Sequence, residues 1–286
     1  MIRFASTGMV DTLKALWLTG FPGDDDYCDF YFKHHFSPEH CAVSVSDEGE
    51  VEAAVHFYRG RVRIDGTEHR LLFLYAVATF PEYRGRGKFS EICRFLADYG
   101  REAGIPLIAL STTPPSQSPC ERLGMVPKIG MASVSIEFAA AGSPPPCEPC
   151  GFAEFAALRS AFLCCDFEIT WPEDTLRYMY DELHTSGGVL KTTVHDRPCY
   201  AAYTLLDDEL LIRETDCPPE AIETLVQAVG THLHHQGKLT VYSRADTCLP
   251  LESPLSREVF CYAHIWFLDE SLDRPDACWY INLTAE

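Results

Sequence analysis

The sequence has 286 residues, of which 47% are hydrophobic and 23% are charged. These values are typical of a globular protein, and the length is sufficient for two domains of ordinary size. The formal net charge of −19 argues against nucleic-acid binding, because binding a phosphate backbone requires a positive protein face. The same charge is compatible with attraction of a cationic amine, and also with an acidic surface that serves only solubility.

No apolar run approaches the roughly 18 to 20 residues that a membrane helix requires. The N-terminus lacks a basic region followed by an apolar core and a small-residue cleavage site, which a secretory signal would have. We therefore expect a cytoplasmic protein that has no membrane partner. Its thirteen cysteines are then expected to be reduced and often buried.

Residues 9–36 carry apolar residues at helical spacing, interrupted by Gly20, Pro22 and Gly23. This pattern predicts two helices joined by a turn. The acidic side chains of Asp25, Asp26 and Asp29 in the second segment are candidates for capping that helix.

A strand, a helix and a second strand are predicted around residues 71–111. Three candidate strands, 41–46, 51–58 and 71–79, form an antiparallel meander with turn residues between them. An amphipathic helix follows and ends at Gly100 or Gly104. Residues 106–111 then read as a short buried strand, so the segment is a βαβ unit with parallel strands.

The turn between the strand 71–79 and the helix has the sequence Arg84-Gly85-Arg86-Gly87-Lys88-Phe89. The two glycines allow phosphate oxygens to approach backbone N–H groups, and the start of a helix supplies unpaired N–H groups and a positive dipole end. The three cations add positive charge around such a site. Because the turn joins a buried strand to an amphipathic helix, the pattern predicts a phosphate-binding loop.

This loop resembles the acyl-CoA pyrophosphate loop of the GCN5-related N-acetyltransferases. The resemblance implies acetyl-CoA as co-substrate, no metal, and transfer of the acetyl group to an amine by direct attack. It also implies that one strand segment pairs with the pantetheine arm and that the amides after Arg84 hold the pyrophosphate. The cofactor-binding positions are then Val77, Ala78, Thr79, Arg84, Gly85, Arg86, Gly87, Lys88 and Phe89. Phe89 stands where many members have Gly or Ala, so its ring must point to the packed side of the helix.

Residues 119–125, PCERLGM, resemble the family's second signature, with Cys120 in the position of a Tyr and Met125 in that of an aromatic residue. The family's Tyr usually protonates the leaving CoA thiolate, so Cys120 is either that acid or a core residue. The general base stays open among Glu52, His56, His69 and the acidic residues near Asp25. The resemblance also implies that the two helices at 9–36 flank the acceptor site, so Asp25, Asp26 and Asp29 either meet the amine there or only cap their helix.

The fold class that the resemblance implies is α+β, with two tandem domains of this kind, each a mixed, mostly antiparallel sheet flanked by helices. Residues 151–286 repeat the predicted order of helices, meander, helix and strand, but the turn at 215–220 lacks glycines and contains two prolines. We therefore predict a domain at 1–141 that contains the acyl-CoA site and is closed by a final strand at 132–138. A linker at 142–150 and a degenerate domain at 151–286 follow, and the second domain is expected to bind no CoA and to wall the acceptor cleft. Cys147 and Cys150 in the linker have no second pair of ligands at zinc spacing.

The tandem arrangement, together with residues 16–26, resembles acetyltransferases of the enhanced-intracellular-survival type. Those enzymes carry a sterol-carrier-like third domain, which we do not expect here because the sequence ends too early to hold one. Two functions stay open. One is an N-acetyltransferase for a cationic small molecule or a lysine side chain, and the other is a non-catalytic acyl-CoA-binding sensor or scaffold. The acceptor and any homo-oligomer are not fixed by the sequence.

Overall fold

The structure is a computed structural model that describes residues 1–111 and 114–281. The helices in chain order are α1 (Val10–Gly20), α2 (Asp25–His34), α3 (Lys88–Ala103), α4 (Pro114–Arg122), α5 (Phe152–Phe162), α6 (Glu173–Ser186) and α7 (Ile222–His232). The strands are β1 (Ile2–Phe4), β2 (Cys41–Val45), β3 (Val51–Ile64), β4 (Thr67–Thr79), β5 (Leu107–Ser111), β6 (Val126–Phe138), β7 (Glu148–Pro149), β8 (Ile169–Thr170), β9 (Gly187–Val194), β10 (Arg197–Leu206), β11 (Glu209–Thr215), β12 (Gly237–Arg244) and β13 (Ser256–Phe267). Among these helices none is long and apolar enough to cross a membrane.

The chain forms two compact units. The first unit contains Met1–Lys128 together with Tyr262–Asp276, and the second contains Ile129–Cys261 together with the segment that begins at Ala277. The division into 1–141, 142–150 and 151–286 follows the order of elements along the sequence and stays a prediction. The compact units differ from it because β6 and β13 each contribute residues to both units.

The sheet of the first unit has the order β1, β2, β3, β4, β5 and the C-terminal half of β13. Neighbouring strands from β1 to β4 are antiparallel, whereas β4 and β5 are parallel over Leu71–Leu74 and Leu107–Leu110. The predicted meander and the predicted parallel βαβ unit are therefore confirmed. The predicted pair of helices before the meander is also present, as α1 and α2.

Helix α3 packs on the first unit's sheet because its apolar residues recur on one face. Ile92, Cys93, Leu96 and Ala97 are buried in a cluster with strand residues such as Leu72. The helix ends at Gly104, which has a positive φ of 64° and closes the last turn as a left-handed cap. The crossover helix thus holds its first turn at the end of β4, where the predicted loop lies.

The strand 132–138 was predicted to close the first domain, and this prediction is wrong. These residues lie in β6 and pair antiparallel with β12 in the second unit. The first unit is instead completed by residues 263–267 of β13, which pair antiparallel with β5. The buried side chains of Ala263 and Ile265 make that pairing favourable, although some 150 residues separate the two strands.

The second unit contains the sheet order β6, β12, β11, β10, β9 and β7. Its β9–β10 hairpin turns at His195 and Asp196, and β11 and β12 are parallel. The core includes a buried ion pair in which Arg159 donates to Glu214 at 2.8 Å, and Tyr200 donates its hydroxyl to the same carboxylate at 2.8 Å. Each unit is therefore a mixed, mostly antiparallel sheet flanked by helices, as predicted.

Candidate functional site

The C-terminal end of β4 runs beyond its pairing with β5. Among the described residues the ladder between these strands ends at Leu74, and β4 continues to Thr79 with β3 on its other side. The register with β3 shifts between Ala54 and His56, and Ala76 has a positive φ of 45°. Such a bulge turns backbone groups out of the regular ladder. Some backbone groups at this end of β4 therefore point out of the regular hydrogen-bond ladder.

The glycine turn after β4 leaves open space in front of its backbone. Gly85 and Gly87 have φ values of 74° and 78°, and a Cβ atom built on either would meet no atom within 4 Å. Helix α3 begins at Lys88, and its first intrahelical bond runs from Glu91 N–H to the Gly87 carbonyl at 3.0 Å. The amides of the first turn thus have no intrahelical partner, so the turn has the donors and the space that an anion needs.

The three predicted cations of the turn have different environments. Arg84 donates from Nε to the Thr79 carbonyl at 3.0 Å and from Nη2 to the Thr19 carbonyl at 3.5 Å, which ties the turn to β4 and to α1. Arg86 is exposed and lies 5.6 Å from the centroid of the Tyr83 ring. Among the described residues, the Arg86 guanidinium makes neither a hydrogen bond nor an ion pair.

Lys88, the third cation, is engaged by an acidic residue that sequence reasoning had considered only as a base. Its Nζ lies 2.8 Å from the Glu52 carboxylate on β3, and the Ser44 hydroxyl donates to the same carboxylate at 2.6 Å. Burial acts to raise the pKa of Glu52, but the bonds from Lys88 and Ser44 outweigh it and the pKa is lowered. Glu52 is therefore an ionised anchor for the first residue of α3, with its Oε2 engaged by both Lys88 and Ser44.

The side chains of the other predicted cofactor positions pack into the protein. Val77 and Phe89 lie against the core cluster beneath α3, so the expected inward orientation of the Phe89 ring is confirmed. Ala78 is buried on the opposite face, with its Cβ 3.1 Å from the position that a Cβ on Gly20 would take. Ala78 thus offers a ligand only its backbone, whereas the side chains of Val77 and Phe89 are partly exposed.

Cys120 lies on α4 with its side chain fully buried. It belongs to the same core cluster as Cys93 of α3. Burial raises the pKa of the Cys120 thiol to about 11, and the nearby Glu121 carboxylate acts in the same direction. A thiol in this setting remains protonated at neutral pH and is enclosed by apolar side chains.

The other candidate bases are also separated from the glycine turn or already engaged. His56 is buried, its Nδ1 lies 3.0 Å from the Tyr31 hydroxyl, and burial lowers its pKa to about 3. His69 lines a second cleft together with Asp269, and Asp29 forms an ion pair with Lys14 at 2.6 Å. Among the described residues no group of three or more His, Cys, Asp or Glu side chains is arranged to hold a metal ion.

An aromatic cluster between α1, α2 and β4 was not predicted as part of a site. Trp17 is its centre, with ring centroids 5.4 Å from Tyr75 and 5.9 Å from Tyr27. The hydroxyls of Tyr27 and Tyr75 are 2.5 Å apart, and Tyr75 directly precedes the bulge at Ala76. The helical spacing of the aromatic residues indicated only a packed face, because their contact with β4 depends on tertiary structure.

The corresponding turn of the second unit is closed to an anion. Strand β11 ends at Thr215, and the buried Asp216 carboxylate that follows accepts a bond from the Tyr200 amide at 2.8 Å. Pro218 and Pro219 then supply no backbone N–H. This turn presents a negative side chain where the first unit presents glycines.

The part of the chain that contains the glycine turn matches a known family model, and nearly the whole chain is similar to solved structures. Residues 1–119 match the model of the acetyltransferase (GNAT) domain. The GCN5-related N-acetyltransferase from Anabaena variabilis ATCC 29413 is similar with a TM-score of 0.73 and 17% identity, over 94% of this chain and 73% of that chain. The GCN5-related N-acetyltransferase from Kribbella flavida gives 0.71 and 18%, over 94% and 71%. Eis1 from Mycobacterium abscessus gives 0.67 and 13%, over 94% and 74%. No curated protein matches the sequence.

Proposed function

From the premise that residues 1–119 form a GNAT acetyltransferase domain and that the chain has the GNAT fold, we propose that the first unit transfers an acetyl group from acetyl-CoA to an amine. The acceptor is a cationic small molecule or a lysine side chain. The second unit binds no CoA, since its corresponding turn combines prolines with the buried Asp216. The strongly acidic composition is compatible with a cationic acceptor.

The observation that carries this proposal is the open glycine turn at the start of α3. The space beside Gly85 and Gly87 faces amides that have no intrahelical partner, and Arg86 adds an exposed positive charge. This arrangement fits the pyrophosphate of a coenzyme. The end of β4 from Ala76 to Thr79 offers backbone groups for the arm of the same molecule, next to the turn.

In the proposed reaction the neutral amine attacks the thioester carbonyl and the new C–N bond forms. The C–S bond then breaks, the nitrogen gives its excess proton to water, and the released thiolate takes up a proton. Backbone N–H groups near the bulge at Ala76 are suited to stabilise the carbonyl oxygen as it gains negative charge. The thiolate proton has two candidate sources, the Cys120 thiol and water. The burial of Cys120 favours water.

A second function, acyl-CoA binding without turnover, is supported by the burial of Cys120. The residue at the position of the family's proton donor is a fully buried thiol with a raised pKa, so an efficient acid is missing there. The two functions share the donor site and differ in turnover. A panel of amines tested with acetyl-CoA separates them, since binding without turnover for every amine removes the enzyme proposal.

Turnover is best followed by chromatographic separation of CoA from acetyl-CoA. A thiol reagent would also label the protein, because Cys164, Cys165 and Cys248 are exposed. In the same assay a Cys120→Ser variant tests the proton donor, with Cys93→Ser as the matched substitution of a buried thiol in the same cluster. Equal loss in both variants indicates packing, and a selective loss in Cys120→Ser indicates proton donation.

The donor site itself is tested by Gly87→Ala. The added methyl group occupies the open space in front of the amides, and we expect acetyl-CoA affinity measured by calorimetry to fall at least tenfold. Gly66→Ala is the matched control, because Gly66 has a similar φ of 75° and equally open surroundings in the β3–β4 turn. Both variants carry the same backbone strain, so an equal affinity in the two would contradict the proposed site.

A further inference from the structure

A separate cleft of about 330 Å³ lies in the first unit at the C-terminal half of α3. Its walls come from α3, from the end of α4 and from β13. Three of its lining residues are arginines, namely Arg94, Arg101 and Arg122, and the others include Asp98, Leu123 and Trp266. The cleft therefore has a net positive lining in a protein whose net charge is −19.

The arginines converge because of helix geometry. Arg94 and Arg101 are seven residues apart on α3, which is two turns, so both point to the same side of the helix. Asp98 lies between them and pairs with Arg101 at 2.8 Å. Among the described residues Arg94 has no hydrogen bond or ion pair, so its guanidinium group is available to a ligand in the cleft.

Trp266 supplies an apolar wall to this cleft. Of the four tryptophans in the chain, Trp17, Trp171 and Trp279 are buried, whereas Trp266 is partly exposed. Its indole packs with one part against the core of the first unit and with another lines the cleft. A guanidinium group beside an aromatic wall suits a ligand that has both an anionic group and a planar ring.

We propose that this cleft binds a phosphate monoester attached to a planar ring. A phosphate monoester carries about −1.5 to −2 charges at neutral pH, and arginine forms paired hydrogen bonds with its oxygens. A dianion is attracted by the net positive lining of the cleft and can bind the guanidinium group of Arg94. The cleft is large enough for a phosphate and one or two rings.

The cleft is distinct from the glycine turn. Arg94 and Arg101 lie six and thirteen residues after Lys88, which at about 1.5 Å per residue is roughly 9 Å and 20 Å along the axis of α3. The phosphate monoester has two sources, a free phosphorylated metabolite or the 3′-phosphate on the nucleotide end of CoA. Only the second source depends on the proposed function.

The test uses phenyl phosphate as the probe and the intrinsic fluorescence of Trp266 as the reporter, with calorimetry as a second measurement. We expect a saturable fluorescence change with phenyl phosphate and none with benzyl alcohol, which has the ring without the charge. Arg94→Gln and Arg122→Gln should each weaken binding at least fivefold. Arg63→Gln, which removes an exposed arginine of β3, should leave it unchanged.

Comparing CoA with 3′-dephospho-CoA distinguishes the sources. If CoA binds more tightly than dephospho-CoA and Arg94→Gln abolishes the difference, the coenzyme's own 3′-phosphate occupies the cleft. If the two bind equally while phenyl phosphate still binds, the ligand is a separate phosphate monoester. The proposal is overturned if phenyl phosphate produces no saturable signal by either method, or if Arg94→Gln behaves like Arg63→Gln.

Discussion

Glu52 joins strand β3 to the first residue of helix α3 through its ion pair with Lys88. We expect Glu52→Gln to lower the free energy of unfolding by about 1–3 kcal/mol, because it removes a charged hydrogen-bond partner from a largely buried site. Glu91→Gln is the control, since Glu91 is more exposed and its carboxylate lies 3.7 Å from the same Lys88 nitrogen. Urea unfolding at pH 7 measures both, and equal small losses would show that the buried pair contributes no more than a surface pair.

His56 makes the first unit sensitive to mild acid. Burial, with a smaller effect from His35, lowers its pKa from 6.5 to about 3. The unfolded chain therefore takes up a proton below pH 6.5 that the folded protein does not, and stability falls by about 1.4 kcal/mol per pH unit as the pH decreases below that value. We expect His56→Gln to be less stable at pH 7 and to lose this part of the pH dependence between pH 6.5 and pH 5.

Urea unfolding measured at several pH values checks the His56 prediction. His34→Gln serves as the control, because His34 is exposed at the end of α2 and its replacement should leave the wild-type slope intact. Comparing slopes between variants removes the contribution of carboxylates, which is common to all three proteins. A slope in His56→Gln that equals the wild-type slope would contradict the role assigned to burial.

At the scale of elements, the turn before α3 contains two arginines in different environments. Arg84→Glu removes a cation and also the bonds that hold the turn to Thr79 and Thr19, whereas Arg86→Glu makes the same charge change at an exposed side chain without such bonds. We expect both to weaken acetyl-CoA binding, Arg84→Glu by more than tenfold and Arg86→Glu by less. Raising the salt concentration should reduce the Arg86 effect and leave most of the Arg84 effect.

Calorimetry with acetyl-CoA at low and high salt measures this difference. Circular dichroism and thermal unfolding of each variant show whether the fold is intact, so that a lost affinity is not mistaken for a lost structure. An unchanged affinity in Arg84→Glu would contradict the assignment of this turn to the pyrophosphate.

The segment from β4 to β5 was predictable because each of its signals is local. An apolar strand, a glycine turn, a 3.6-residue periodicity in α3 and a second apolar strand follow one another in about forty residues. The pairing of Lys88 with Glu52 was not predictable, since the two residues are 36 positions apart in the sequence. A lysine in a loop with a phosphate-binding pattern also suggests a phosphate as its partner and not a carboxylate. The burial of Cys120 could not be predicted either, because its position in a motif does not indicate which side of α4 faces the core.

At the scale of the molecule, spatial units and chain order do not coincide. Residues 263–267 pair with β5, while 132–138 pair with β12, so each unit is completed by a strand distant in sequence from its neighbours. Sequence periodicity identifies a strand but not the strand with which it pairs. The entropic cost of closing a loop grows only slowly with loop length, so pairing between strands distant in sequence adds little to that cost. The predicted boundary at residue 141 follows chain order, whereas these strand pairings depend on tertiary contacts.

Because β13 pairs with β5, a substitution in β13 is expected to destabilise the first unit. Ile265 is buried in β13 opposite Ala109 of β5, and we expect Ile265→Ala to cost about 2–5 kcal/mol. Because the free energy of local opening belongs to a cooperative spatial unit, the loss should appear as faster amide hydrogen exchange in β5 and α3. The ladder between β6 and β12 should keep its protection, although β6 lies closer to β5 in sequence than Ile265 does.

Hydrogen exchange followed by mass spectrometry resolves these segments. Val241→Ala is the matched control, because Val241 is a fully buried β-branched residue of β12 that pairs with Val134 of β6. It should produce the reciprocal pattern, with faster exchange in β6 and its neighbours and unchanged exchange in β5 and α3. If both variants accelerate exchange in all of these strands equally, the two units unfold as one, and stability in this protein is then a property of the whole chain and not of its contact units.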